Sequence, residues 1–211
     1  MVSSSLLFAH RMTIDELYEK LQDPDFQDPA TGQLFFPAYI YLYDVANEAE
    51  IERRLQGIKE GLHRPSHYLD ALILDIFEEL VEFLKGHPYA GMTKWAFCAS
   101  VEQEHPDEVE DSIGQDAYSK EFLDHLDDKI QQHIDAAGDN TVAYVFMKGF
   151  GRAYPYLRVS RFMSHYEGYI KDRFKLILFY PGTYNQNYHL FGALEDEHLY
   201  RAIKLINPEN A

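Results

Sequence analysis

Three short runs of this chain are apolar along nearly their whole length, and they limit the fold more than any other feature: Phe36–Tyr43 (FPAYIYLY), Thr141–Met147 (TVAYVFM) and Leu176–Tyr180 (LILFY). A strand with one wet face alternates apolar and polar residues. A strand covered on both faces does not, so runs of this kind belong inside a sheet with helices on either side. They are short, aromatic and bounded by turn residues, which favours strands over buried helices. Segments with helical spacing lie between them, and strands joined through helices imply right-handed crossovers. The expected fold is therefore α/β: a mainly parallel sheet flanked by helices in three layers, resembling a nucleotide-binding core without a P-loop.

The helices are signalled by their caps. Thr13-Ile14-Asp15-Glu16 is a capping box, in which hydroxyl and carboxylate each satisfy an orphan amide, and Ile14, Leu17 and Leu21 follow as an apolar stripe. Asn47 with Glu50 reads as the cap of a helix over 48–62. His67–Asp75 suits a strand through Leu69, Leu72 and Leu74, whereas Ile73, Phe77, Leu80 and Leu84 have helical spacing. The reading adopted is a strand ending at Leu74, Asp75 as cap, and a helix through Lys85. Residues 89–137 read as a helical insertion broken by the acidic stretch Glu102–Asp111, with Phe122, Leu126, Ile130 and Ile134 marking its later helix. After the second apolar run come a glycine turn at Lys148–Gly151 and a helix over Tyr156–Ile170. Pro181-Gly182 reads as a type II turn that ends the third run. His189–Leu194 and Tyr200–Ile206 then read as short strands forming a C-terminal antiparallel edge. Residues 1–11 are expected to be a flexible extension and 12–211 a single α/β domain.

Of the 211 residues, 46 % are hydrophobic and 15 % aromatic, enough for one sizeable core. Nineteen basic residues face 35 acidic ones, a formal charge of −16. Nucleic-acid affinity comes from Lys and Arg displacing counterions, so a broad nucleic-acid face is not expected, and a basic protein surface is the natural match. The single cysteine, Cys98, cannot form an internal disulfide, which suits a reducing, cytoplasmic setting. The N-terminus lacks a basic leading region and reads as no signal peptide. No apolar run is long enough to span a membrane.

Two motifs carry a family resemblance. Met147–Tyr166 (MKGFGRAYPYLRVSRFMSHY) places a glycine turn and a Tyr-Pro-aromatic helix start after a strand; Leu176–Leu205 carries FYPG, LFG and a Tyr-Arg-Ala ending. Together they resemble the BrxB family of bacteriophage-exclusion (BREX) defence systems, with weaker similarity in IDEL, YLYD and LILDIFEEL. Leu199-Tyr200 and Ile203 depart from the family's usual aromatics. The resemblance implies a non-enzymatic component of a multi-gene antiphage island, which pairs a DNA methyltransferase with a large ATPase and an alkaline-phosphatase-like protein. It further implies that the chain binds the phosphatase-like protein and other BREX components. It brings no catalytic residues.

The residues themselves offer few sites. Lys148-Gly149-Phe150-Gly151-Arg152 lies between strand and helix, where its glycines can form an anion nest; the plainer reading is a tight turn that needs glycine on steric grounds. Asp44 and Asp75 stand past strand ends, where carboxylates hold Mg²⁺ in phosphotransfer enzymes. Both also stand at helix starts, and capping is the preferred reading. Gly86–Lys94 resembles a P-loop only loosely, since its lysine is displaced and it follows a helix. The ten histidines show no HExxH and read as solvated, Cys98 as a core residue, and Ser160 and Ser164 lie in no GxSxG elbow. Arg152, Arg158 and Arg161 form a local basic cluster that suits an acidic partner, a phosphate or a nucleic acid, or else neutralises nearby carboxylates. No metal, cofactor or catalytic residue is assigned, and Lys148, Gly149, Gly151, Arg152, Arg158 and Arg161 are the residues of interest. Two functions lead, an adaptor, or a nucleotide- or phosphate-binding regulatory module without hydrolytic activity; a nucleic-acid-binding factor, disfavoured by charge, comes last.

Overall fold

The computed structural model describes residues 11–27, 37–63, 68–138, 141–170, 174–196 and 203–205. Helices α1 (Ile14–Gln22) and α2 (Pro24–Gln27) precede strand β1 (Ala38–Tyr43), followed by α3 (Glu48–Leu62), β2 (Leu69–Asp75) and α4 (Ile76–Gly86). A small hairpin, β3 (Pro88–Tyr89) and β4 (Met92–Thr93), opens the insertion, which continues as α5 (Lys94–Val101), α6 (Pro106–Asp116) and α7 (Lys120–Ala137). Then come β5 (Val142–Lys148), α8 (Phe150–Ala153), α9 (Val159–Tyr166), β6 (Phe174–Asn185), β7 (Asn187–Leu190), β8 (Leu194–Glu195) and β9 (Ile203–Lys204).

The strands lie in the order β2-β5-β6-β1-β9, parallel along that path, while β7 and β8 join antiparallel from the second half of β6. The sheet is thus mixed: parallel along its main path, with two antiparallel strands added from β6 rather than at a C-terminal edge. Its likeness to a nucleotide-binding core goes no further than the helices on its two faces. The cause is β6, which does not stop at Pro181-Gly182. Pro181 still stands opposite Tyr43 in β1, and Gly182 pairs with Leu190 of β7. A Cβ on Gly182 would lie 2.2 Å from the His189 carbonyl oxygen, so this glycine serves close strand approach rather than a turn. The reversal comes later, at Gln186, with φ 62°. β9 pairs parallel with β1 and forms an edge, so the antiparallel strands are not at that end. Of the predicted strand Tyr200–Ile206, only 203–205 lie within the described residues.

Alternation along each strand sorts the core into two halves. Tyr39, Tyr41, Tyr144, Phe146, Ile177 and Phe179 face α1 and α3, where Leu17, Leu21, Leu55 and Leu62 cover them. Ala38, Ile40, Val145, Leu176 and Leu178 face the opposite way, under α4, α7 and α9. Phe122, Leu126 and Ile130 of α7 are wholly buried there, each contributing about 1.5–3 kcal/mol. The chain passes from β1 to β2 through α3 on one face and returns to β5 and β6 through helices on the other. Direction and face change together, which keeps the crossovers of one hand.

The capping box of α1 forms as its sequence dictates, with Glu16 N–H donating to Thr13 Oγ1 at 3.2 Å and Thr13 N–H to Glu16 Oε2 at 2.6 Å. Ser119 caps α7 by accepting from Phe122 N–H. Asn47 makes no side-chain cap; Asp44 instead accepts from Ala46 N–H and caps a short 3₁₀ turn ahead of α3. The acidic stretch is mostly helix rather than interruption. Pro106 starts α6, Asp107 and Glu108 sit favourably in its first turn, and Val109 and Ile113 bury a stripe. The expected helix over Tyr156–Ile170 is shorter, because the chain turns at Tyr154–Tyr156 before α9 begins. Residues 1–10 of the expected extension lie outside the described residues. Arg11 does not dangle, since its Nη2 donates to the Gly182 carbonyl at 2.9 Å.

Candidate functional site

The carboxyl ends of β2 and β5 lie side by side, Asp75 opposite Lys148. Asp75 caps α4 by accepting from the N–H groups of Phe77 and Glu78 through Oδ1, at 3.2 and 3.3 Å. Its other oxygen, Oδ2, accepts from Lys148 Nζ at 2.5 Å and from Arg152 Nη2. Lys148 also donates to Glu52 of α3 at 2.6 Å, and Arg152 to Glu78 at 3.0 Å. Two bases and three carboxylates thus close on one another. Burial works to lower the Lys148 pKa, but its hydrogen bonds to Asp75 and Glu52 outweigh that and hold it above its ordinary value. Arg152 behaves alike: burial opposes its charge, and Asp75 and Glu78 overcome that.

The glycine turn is explained by the same carboxylate. Gly149 has φ 84°, a left-handed conformation that favours glycine. A Cβ there would lie 2.3 Å from Asp75 Oδ1. The space beneath the turn, where an anion nest would hold phosphate, is filled by the protein's own carboxylate. Gly151 sits in α8 against Phe191 and Pro181, at the base of the β6–β7 hairpin.

Arg152, Arg158 and Arg161 do not form one cluster. Arg152 belongs to the strand-end knot. Arg158 and Arg161 line an open groove of about 350 Å³, together with Tyr118, Tyr156 and, from α6, Glu110 and Asp111. Arg161 lies over the Tyr118 ring at 4.2 Å and Arg158 over the Tyr154 ring at 5.5 Å. The Arg158 backbone N–H donates to the Tyr118 hydroxyl at 2.8 Å. Burial raises the pKa of that phenol, despite this hydrogen bond, so it stays neutral. The i, i+3 spacing of the arginines signalled one wall of the groove. Nothing in the sequence signalled that α6 brings two carboxylates to the same groove, nor that Glu52 and Glu78 would reach the turn.

Other candidates resolve into structure. His125 meets Glu79 at 3.0 Å beside Lys129, and His133 meets Asp70 at 3.2 Å. Both rings are half-buried against carboxylates, which corrects their reading as solvated: α7 packs over β2 and α4 and covers them. Among the described residues, no group of three or more His, Cys, Asp or Glu is arranged to hold a metal ion. Cys98 is buried, and that burial raises its pKa, as for an inert core thiol. Ser160 is also buried and donates to Asp196, a contact the sequence did not suggest. Among the described residues, no helix is long and apolar enough to cross a membrane.

Fold and site together define an α/β domain with helices on both faces of its sheet, whose strand-end polar residues are tied to each other and whose ring-supported Arg158 and Arg161 lie on the insertion side. Known proteins agree on which domain this is. The chain belongs to the BrxB family: the family model described as BREX protein BrxB matches residues 72–205. A BREX protein BrxB of Bacillus cereus (strain H3081.97) is 24 % identical over 195 residues, covering 92 % of this chain and 96 % of that one. No solved structure matches.

Proposed function

We propose that this chain is a non-enzymatic adaptor of a BREX-type antiphage defence system, working in the cytoplasm and binding the alkaline-phosphatase-like protein of the same system. The observation that carries the reading is family membership, which makes the chain a BREX component. The geometry favours an adaptor over the phosphate-binding alternative. A ligand phosphate at the Lys148–Arg152 turn would have to displace Asp75, which caps α4 and neutralises both bases. The Arg158–Arg161 groove instead presents charge to the surroundings.

Tagged protein purified from cells carrying the whole system should bring down the phosphatase-like component, and deletion of its gene should restore phage plating. A solitary monomer that is dispensable for resistance overturns the proposal. Nucleotides or phosphate with Mg²⁺ are expected to leave the melting temperature unchanged. A ligand at 100 times its Kd would add about 2.7 kcal/mol, so a shift of that size would restore the regulatory-module reading.

A further inference from the structure

We infer that the groove between α6 and α9 grips a mixed-charge segment of the protein partner, a carboxylate side chain set beside a basic one. The inference rests on the adaptor reading and names the chemistry of its contact. In a chain of formal charge −16, Arg54 and Arg152 hold carboxylates, whereas among the described residues Arg158 and Arg161 form no ion pair within 4 Å, although Glu195 and Asp196 line a small cavity on the other side of Arg158. What they have is aromatic support, Tyr154 under one and Tyr118 under the other. A guanidinium resting on a ring keeps its in-plane N–H groups for a planar acceptor and loses less freedom when it binds one. A carboxylate received bidentately is the acceptor that fits.

The other lining residues narrow the ligand. Glu110 and Asp111 are exposed in the same groove, where they repel a bare polyanion such as nucleic acid or polyphosphate. They are, however, ready acceptors for a Lys or Arg beside the incoming carboxylate. The chain as a whole suits a basic partner, and a carboxylate carried within such a surface answers both sets of charges at once. Room of about 350 Å³ admits a few side chains rather than a folded element.

The test is capture of the phosphatase-like component by the full-length chain in cells carrying the whole system. Reversing the basic wall with R158E/R161E should lower capture at least about tenfold, and E110K/D111K should lower it less. Arg161→Lys, which keeps the charge and loses the planar stack, should fall between wild type and the double variant. Capture by wild type should weaken as salt rises. If R158E/R161E melts below wild type, Arg161→Gln serves instead, since the Tyr118 ring is the contact it removes. Undiminished capture by a variant with the wild-type melting temperature overturns the inference and leaves the adaptor reading standing. No capture by wild type defeats the adaptor reading and the inference with it. A thermal shift by inorganic phosphate that R158E/R161E abolishes, with capture intact, would assign the groove to a bare anion.

Discussion

Arg152 and Arg161 are nine positions apart in one sequence cluster, yet the fold places them in opposite circumstances. Arg152 stands on α8, just past the end of β5, with Asp75 and Glu78 as partners; Arg161 stands on α9 with a tyrosine ring beneath it and, among the described residues, no carboxylate within ion-pair distance. At the strand ends, charge is consumed by structure. In the groove it is held in position and left open. A basic cluster in a sequence therefore says little until its carboxylates are located. The division is physical: an unpaired charge in the partly buried knot would cost several kcal/mol, whereas one at the exposed groove costs almost nothing.

The comparison can be broken most forcefully at Asp75. Asp75→Ala uncaps α4 and strands Lys148 and Arg152, and should lower stability by about 3 kcal/mol in urea unfolding. A loss below about 1 kcal/mol would mean that the knot is not structural. Gly149→Ala forces a Cβ against the Asp75 carboxylate at positive φ, and should cost about 2 kcal/mol by the same measurement. Next comes pH. Lys148 has its pKa raised in the folded state, so its contribution is complete below the ordinary value of 10.5 and is lost as pH rises through the folded value. The stability gap between wild type and Asp75→Ala should accordingly shrink in strongly alkaline buffer and stay constant from neutral pH to about pH 9. The smallest effect belongs to the groove: Arg158→Ala and Arg161→Ala should each change stability by less than about 0.5 kcal/mol while weakening partner capture.

Local signals in the sequence were reliable where the chemistry is local. The Thr13–Glu16 box, the Asp75 cap and the apolar runs of β1, β5 and β6 all depend on neighbours within a few positions, and all formed. Pro181-Gly182 misled because a Pro-Gly pair usually marks a turn, and only the carbonyl of His189, brought close by β7, shows why glycine is there. Helix α6 was hidden because its acidic residues resemble a solvated loop, while Val109 and Ile113 are the two that pack. The ion pairs of Lys148 reach Asp75 and Glu52, 73 and 96 positions away, and no spacing rule spans such intervals. His125 and His133 looked solvated for the same reason, since Glu79 and Asp70 come from other elements.

Strand β6 has twelve residues and, at about 3.3 Å each, extends roughly 40 Å. Its first half is clamped between β5 and β1 in the middle of the core, and its second half carries β7 and β8 outward. The hairpin is therefore a stalk continuous with the protein's central beam rather than an appended loop. A load on Gln186 at its tip runs along one backbone into the parallel pairs and pulls on them in shear, so that many hydrogen bonds resist together.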